Sequence, residues 1–233
     1  MKIHRFIDQS FNLNHKQLTI TNREIINQWK NVLRLAVGDS LILGDGNGYE
    51  ATAEIATLTS ELAEVDLADQ VLNKNESTIK ATLYCAILKK ENFELVVQKA
   101  VEVGISKIIP ITTERTVKQN LRQDRLEKIA KEAAEQSGRG IIPTIEPIAD
   151  FKTALTQATG FGPTFIFDLT STEKFNSTSL PIINIFVGPE GGFTEKEIGL
   201  AKEIGAQVAS LGQLTLRGET AAIIASYLAV SGL

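Results

Sequence analysis

The first third of the chain shows the short alternation of apolar and polar residues that is typical of β-strands. Residues 40–43 are mostly apolar, residues 45–48 (Asp-Gly-Asn-Gly) have the composition of a hairpin turn, and alternating positions continue to Ile55. A further strand is predicted near residues 62–67. Upstream, residues 22–35 carry apolar side chains three and four positions apart, which indicates a helix. These patterns predict a helix followed by a small β-barrel.

Beyond a polar segment at residues 73–78, which has no periodicity and indicates a linker, apolar runs alternate with stretches of helical periodicity. Strands are predicted at residues 81–88, 107–111, 164–169, 182–187 and 207–211, and helices near residues 92–104, 122–138, 151–159, 194–205 and 219–230. This alternation predicts an α/β fold class, with helices on both faces of a mostly parallel sheet. We therefore expect two domains, a β-barrel at residues 1–72 and an α/β domain at residues 73–233.

The composition is that of an ordinary globular chain, and it argues against several classes of enzyme. Of the 233 residues, 43% are hydrophobic. The single cysteine (Cys85) and the two histidines (His4 and His15) offer no disulfide framework and no zinc-like ligand spacing, which argues against metal hydrolases and cysteine–histidine nucleophile pairs. No apolar run approaches the roughly 18 residues that are needed to cross a bilayer. We therefore expect no metal, no membrane partner and a cytoplasmic location.

Charge is distributed unevenly along the chain. The net charge of −4 argues weakly against a polyanionic partner, but residues 73–140 contain 13 basic and 9 acidic groups. Such a segment can meet nucleic acid, although a solvated helix face is its commoner meaning. Charge alone leaves both interpretations open.

A glycine-rich segment, Gly188-Pro189-Glu190-Gly191-Gly192, follows the predicted strand 182–187 directly. Glycines at the end of a strand let the backbone approach a ligand closely, and their N–H groups suit an anion or a carbonyl. Thr194 and Glu197 then form the pattern of a capping box at the start of a helix. The segment lacks the spacing of phosphate-binding and dinucleotide-binding loops, and a plain tight turn explains a Gly-Gly pair equally well.

A second candidate, residues 211–221, also joins a predicted strand to a helix. Arg217 and Glu219 flank Gly218 where an α/β sheet usually places its ligand crevice. An ordinary ion pair at a helix terminus is the alternative interpretation.

Taken together, seven segments in this order resemble the RsmE family of ribosomal RNA methyltransferases, which belongs to the SPOUT superfamily of knotted α/β methyltransferases. The resemblance covers nearly the whole chain, and the order of the segments is more specific than any one of them. The segments are His4-Arg5-Phe6, Val32-Leu33-Arg34 with Val37-Gly38-Asp39, and residues 98–104, 113–116, 132–139, 188–192 and 216–221.

The resemblance implies an amino-terminal PUA-like barrel that binds RNA and a SPOUT domain that binds S-adenosylmethionine in a trefoil knot, with the chain acting as a homodimer. The implied reaction is methylation of N3 of a uridine in 16S rRNA of the small ribosomal subunit. The implied cofactor-binding residues are Gly188, Pro189, Glu190, Gly191, Gly192, Leu211, Gly212, Leu216, Glu219, Thr220 and Ala221.

The same resemblance suggests roles in catalysis and in RNA binding. Arg217 would stabilise the developing uridinate, and Glu190 or Glu219 would take the N3 proton or have a structural role. The candidates for RNA contact are Arg5, Arg34, Lys99, Arg115 and Arg139.

Three alternatives remain open at this point. Another SPOUT enzyme could act on a different rRNA or tRNA site. A catalytically silent RNA-binding assembly factor is suggested only by Gly218, because relatives often have Thr or Ala there. A nucleotide hydrolase lacks the Lys and the Mg²⁺ ligands that its phosphate loop would need.

Overall fold

A computed structural model describes residues 3–117, 120–175 and 180–232. The chain divides into two units, the first made of Met1–Glu76 with Ala134–Ile142 and the second of Ser77–Ala133 with Pro143–Leu233. The chain therefore leaves the first unit after Glu76 and returns to it once. A single boundary along the sequence therefore does not separate the two units.

The first unit is built on a six-stranded sheet in the order β1-β3-β4-β5-β2, with β6 paired to β4. The pair β1/β3 is parallel and the other pairs are antiparallel. The elements are β1 (His4–Ile7), β2 (Gln17–Ile20), α1 (Arg23–Asn27), a π-helical turn (Gln28–Val32), β3 (Ser40–Gly44), β4 (Tyr49–Leu58), β5 (Ala63–Leu67) and β6 (Val71–Leu72).

Alternation along the strands decides which face of this sheet is buried. On β4, Ala51, Ala53 and Ile55 point into the core while the residues between them are more exposed. Trp29, on the π-helical turn, is fully buried in the same core. The predicted hairpin turn is confirmed, because the Asp45 carboxylate accepts hydrogen bonds from the N–H groups of Asn47 and Tyr49.

The second unit alternates strands and helices, as the sequence predicted. Its elements are β7 (Lys80–Ala86), α2 (Lys90–Val103), β8 (Lys107–Thr112), α3 (Gln123–Ser137, whose last residues count with the first unit), β9 (Thr144–Ile145), β10 (Ala149–Asp150), α4 (Phe151–Phe161), β11 (Thr164–Phe167), β12 (Ile182–Val187), α5 (Glu195–Glu203), β13 (Gln207–Ala209) and α6 (Gly218–Ser231).

The sheet of the second unit has the order β10-β8-β7-β12-β11-β13, with β9 beside β8, and all its pairs are parallel. Tyr84 and Phe186 stack on the face that α4 and α5 cover, with ring centroids 4.2 Å apart. Helices α2 and α6 pack together, and α6 also packs on β7 and β12. Because β7 and β12 are buried on both faces, their sequences are almost continuously apolar.

The segment interpreted as a linker begins with residues that are held tightly inside the first unit. Asn73 is buried, and its amide donates hydrogen bonds to Glu50 Oε2 (2.6 Å) and to the carbonyl oxygen of Gly138 (3.1 Å). Glu76 accepts hydrogen bonds from the Arg139 guanidinium, which is 4% exposed, and from the N–H of Gly140. The boundary between Glu76 and Ser77 falls inside the predicted linker at residues 73–78, and long-range partners hold residues 73–76 in place of the periodicity that the segment lacks.

The Glu76–Arg139 pair predicts a pH dependence of stability. Burial by itself raises the pKa of the Glu76 carboxyl, but Arg139 and the N–H groups of Ile141 and Gly140 outweigh it, and the pKa lies below its usual value. The stabilisation is therefore present above the unfolded-state pKa of about 4.3 and is lost as the pH falls through the folded-state pKa.

We expect Glu76→Gln to lower the free energy of unfolding at pH 7 by about 1–3 kcal/mol, because a buried cation loses its charged partner. Urea titrations at pH 7 and pH 3 measure the effect, and replacement of the exposed Glu61 by Gln is the control. The deficit should shrink at pH 3, and an equal deficit at both pH values would contradict this account of the pair.

Candidate functional site

The parallel strands of the second unit bring their carboxyl ends to one edge of the sheet. Val187, the last residue of β12, lies opposite Cys85 of β7 and Phe167 of β11, and Phe167 lies opposite Ala209 of β13. The segments that leave these strands therefore start side by side. Both segments singled out in the sequence, residues 188–192 and 211–221, leave this edge.

The glycine-rich loop, residues 188–194, makes a tight turn in which Gly192 N–H donates to the Pro189 carbonyl oxygen (2.8 Å) and Gly192 has φ +67°. Gly188 is buried, and a Cβ there would lie 3.1 Å from the Phe193 ring. The predicted capping box of Thr194 and Glu197 is confirmed at the start of α5. Packing and turn geometry thus account for two of the three glycines.

The second loop crosses the edge of the sheet. It begins after β13, the last strand in the order, and it ends where α6 starts beside the end of β7. Two contacts fix that end: Gly218 lies against Leu88, and Asn92 Nδ2 donates to Glu219 Oε2 (3.3 Å). Residues 210–217, the crossing loop, therefore pass from β13 to the β7 side of the sheet, past the carboxyl ends of β11 and β12.

Of the three candidate catalytic residues, Glu190 and Arg217 lie in these loops and Glu219 lies in the first turn of α6. Arg217 is exposed at the start of α6, where its side chain makes no capping hydrogen bond. Within the described residues 180–232, Arg217 and Glu219 form no ion pair, so the alternative interpretation of this pair is not supported. Glu190 is exposed in the glycine-rich loop. Burial raises the pKa of the Cys85 thiol to about 12, and the Glu190 carboxylate adds to this effect.

The candidates for RNA contact are divided between the two units. Arg5, Arg34 and Arg139 belong to the first unit, and Lys99 and Arg115 belong to the second. Arg5 pairs with Glu50, and Lys99 pairs with Glu102 at 2.8 Å. Arg34 is exposed and is the non-glycine residue that adopts a positive φ (+57°) among the described residues.

Two of these arginines are directed at other protein groups. The guanidinium of Arg139 is buried against Glu76 at 2.8 Å, so we correct the assignment of Arg139 as an RNA contact. Arg115 Nη1 donates to the carbonyl oxygens of Gly191 (2.5 Å) and Phe193 (3.3 Å). Its side chain therefore supports the glycine-rich loop.

Sequence reasoning missed Leu88, Asn92 and Glu114, which contact the first turns of α5 and α6, directly after the two loops. Leu88 and Asn92 follow β7, and Glu114 follows β8. The rule that parallel strands end at one edge could have found them, since Leu88 ends the predicted strand 81–88, Asn92 begins the predicted helix after it, and Glu114 follows the predicted strand 107–111 by three residues.

A cavity of about 450 Å³ lies beside β13, and none of the predicted site residues lines it. Its lining includes Thr170, Ser171, Lys174, Lys202 and Gln207. Among the residues that the structure describes, no group of three His, Cys, Asp or Glu side chains could hold a metal ion. None of the described helices is both long enough and apolar enough to cross a membrane.

Known proteins resemble the chain over both units. Residues 75–230 match the model of an RNA methyltransferase domain, and residues 30–67 match that of an RNA methyltransferase PUA domain. The ribosomal RNA small subunit methyltransferase E of Mesomycoplasma hyopneumoniae is 35% identical over 75% of this chain and 80% of that protein. The protein of the same name from Rickettsia conorii is 33% identical over 97% of this chain and 94% of its own.

A solved structure extends the likeness to the fold. It is the ribosomal RNA small subunit methyltransferase E of Neisseria gonorrhoeae bound to S-adenosyl methionine. The two structures share a TM-score of 0.89 at 31% identity, covering 97% of this chain and 95% of that one.

Gly218 gives a direct test of how α6 is seated. A Cβ at Gly218 would lie 2.8 Å from Leu88 Cδ2, and Leu88 is itself buried. We expect Gly218→Ala to lower the free energy of unfolding by about 1–2 kcal/mol, because the Leu88 side chain must move within a packed core. Chemical denaturation measures this change.

Two further variants make the test specific. Adding Leu88→Val to Gly218→Ala should recover part of the loss, because valine is shorter. Gly199→Ala in α5, where a Cβ would meet nothing within 4 Å, should be neutral or stabilising by up to about 1 kcal/mol. Equal effects of Gly218→Ala and Gly199→Ala would contradict the proposed contact.

Proposed function

The chain belongs to the family of ribosomal RNA small subunit methyltransferase E (RsmE) proteins, and from this premise we propose that it transfers a methyl group from S-adenosylmethionine to N3 of a uridine in 16S rRNA. The observation that carries the proposal is the pair of loops, 188–194 and 210–217, that leave one edge of a parallel sheet in a chain matched over nearly its whole length. The identity of the base and of its N3 atom is the finer part of this proposal.

The two loops have room and chemistry that fit S-adenosylmethionine. Gly192 and Gly212 have positive φ angles, and a Cβ on either would meet nothing within 4 Å, so open space lies beside both backbones. The side chains of Leu211 and Leu216 in the same segment are apolar and half-buried. We propose that the cofactor is held by Gly188, Pro189, Glu190, Gly191, Gly192, Leu211, Gly212, Leu216, Glu219, Thr220 and Ala221.

When bound, S-adenosylmethionine supplies an electrophilic methyl group on its sulfonium centre. The protein has to align the acceptor nitrogen and stabilise the charge that develops when the N3 proton leaves. The exposed guanidinium of Arg217 suits stabilisation of a uridinate-like oxygen. Glu190 is exposed and suits acceptance of the proton, whereas Glu219 is oriented by Asn92. N3 lies on the pairing edge of uracil, so the base has to be unpaired or flipped out.

In the first unit, the geometry around Arg34 supports RNA contact. The chain leaves the π-helical turn with Leu33 N–H bonded to the Gln28 carbonyl oxygen and Leu35 N–H bonded to that of Trp29. These bonds hold Arg34 in a left-handed conformation that costs about 1–2 kcal/mol in a non-glycine residue. Strain of this kind is often found at functional sites. This conformation leaves the Arg34 side chain exposed to solvent, on the unit that matches the PUA domain model.

The finer architecture is also a proposal. We propose that the first unit, which contains the predicted barrel at residues 1–72, is PUA-like, that the second unit, within the predicted residues 73–233, is a SPOUT domain with a carboxyl-terminal trefoil knot, and that the chain forms a homodimer. The strand order supports the knot, because β12 lies between β7 and β11 although β11 precedes it in the chain. The proposed partner is 16S rRNA in the small subunit, in the cytoplasm.

The structure weakens one of the alternatives and leaves another to experiment. Gly218 was the feature that suggested a silent assembly factor, and the proximity of Leu88 explains it by packing. A different rRNA or tRNA target keeps the same machinery, and product analysis separates it from the proposed one.

We expect the purified protein to form N3-methyluridine in small subunits from cells that lack this modification. Arg217→Ala should lower kcat about 100-fold with little change in cofactor affinity, because the lost charge acts mainly in the transition state. Nucleoside mass spectrometry and isothermal titration with S-adenosylmethionine provide the two readouts.

Arg122, an exposed arginine paired with Asp124, is the matched control for Arg217 and should be replaceable by Ala without effect. An unmodified small subunit would reject the proposed reaction, and a methylated nucleoside elsewhere would reassign the target. Equal rates for wild type and Arg217→Ala would reject the role of Arg217.

Arg34 gives a second prediction, which separates its charge from its backbone conformation. Arg34→Ala and Arg34→Gly should both weaken RNA binding and reduce the slope of log K against log salt by about 1, since each removes one phosphate contact. Arg34→Gly should be the more stable variant, because glycine tolerates positive φ. Unchanged RNA affinity in both variants would reject the role of Arg34.

A further inference from the structure

The turn after β8 holds the glycine-rich loop through the side chain of Arg115. Besides donating to the carbonyl oxygens of Gly191 and Phe193, Arg115 lies with its aliphatic stem over Gly191, where a Cβ would be 3.3 Å from Arg115 Cδ. A side chain at position 191 would therefore press on the arginine. Gly191 is accounted for by this close approach, as Gly188 is by Phe193.

A buried carboxylate also holds the same loop. Glu197 is 6% exposed, and its Oε2 accepts hydrogen bonds from Thr194 N–H (2.8 Å) and Thr194 Oγ1 (3.1 Å). Its Oε1 accepts from the N–H of Glu114 at 3.0 Å. A capping box requires only the contacts within the helix terminus. The contact with Glu114 joins the glycine-rich loop to the turn after β8.

The turn at residues 113–116 is a firm anchor for these contacts. Thr113 N–H donates to Thr116 Oγ1 (2.9 Å), and Thr116 N–H donates to the Thr113 carbonyl oxygen (3.2 Å). The turn follows β8 directly, and β8 is paired with β7 inside the sheet. The glycine-rich loop and this turn are thus linked by two side chains, Arg115 and Glu197, and the turn is fixed to the sheet through β8.

We propose that Arg115 and Glu197 are positioning residues for methyl transfer, which hold the glycine-rich loop in the conformation that receives S-adenosylmethionine. This inference rests on the proposed function, and it assigns Arg115 to the cofactor loop in place of RNA contact. A loop with three glycines loses much conformational entropy when it is ordered. Contacts that order it during folding remove that cost from cofactor binding.

The test compares Arg115→Ala and Glu197→Gln with two matched controls. The controls are Arg122→Ala, the exposed arginine already described, and Glu195→Gln, which alters the other acidic residue in the first turn of α5. We expect both test variants to raise the Kd for S-adenosylmethionine about tenfold, because each loses hydrogen bonds to a charged group. Arg115→Lys should recover part of the affinity.

Two further measurements distinguish positioning from general destabilisation and from RNA contact. At saturating cofactor, kcat should stay within about threefold of wild type, so that the loss lies in cofactor binding. Without cofactor, amide hydrogen exchange at residues 188–194 should become faster in both test variants and stay unchanged in the controls. RNA affinity should not change with Arg115→Ala.

Weaker RNA binding by Arg115→Ala, with unchanged loop exchange and cofactor affinity, would overturn the inference and restore Arg115 as an RNA contact. Unchanged exchange in both test variants would also overturn it, whatever the cofactor affinity. If wild type binds no S-adenosylmethionine, the proposed function fails and the role in methyl transfer fails with it. The exchange data then still decide whether the two residues hold the loop.

Discussion

The site depends on the parallel pairing of β12 with β7 on one side and β11 on the other. Parallel strands end at the same edge, so this pairing places the glycine-rich loop between the ends of its neighbours. It also places the segment from β13 to α6 across that edge, because α6 has to reach the β7 side to seat Gly218 against Leu88. The positions of the glycine-rich loop, the candidate cation and the candidate carboxylates are therefore consequences of one strand order.

Regular and long elements of the second unit could be predicted from the sequence. The predicted strand at 182–187 matches β12, and the predicted helix at 122–138 differs from α3 by one residue at each end. Buried parallel strands are nearly all apolar, and helices of this length show their period several times. The short strands β1, β6 and β9 show too few positions to reveal a period and were missed, whereas the equally short β11 and β13 were predicted from apolar runs.

Contacts between residues distant in sequence could not be predicted. The pattern of residues 73–76 indicates a polar linker, yet Glu76 meets the guanidinium of Arg139 and the N–H of Gly140 across more than 60 positions. Likewise the capping box of Glu197 is legible locally, while its contact with Glu114 depends on two loops meeting at one edge. Residue types at the site were therefore predictable, and the partners that orient them were not.

The central claim is that S-adenosylmethionine binds between the glycine-rich loop and the crossing loop. A crystal structure of the protein with S-adenosylmethionine tests it most directly. The account predicts ligand density in contact with residues 188–192 and 211–221 at the carboxyl edge of the sheet. Density elsewhere, for instance in the cavity lined by Thr170, Lys174 and Lys202, with none at these loops, would contradict it.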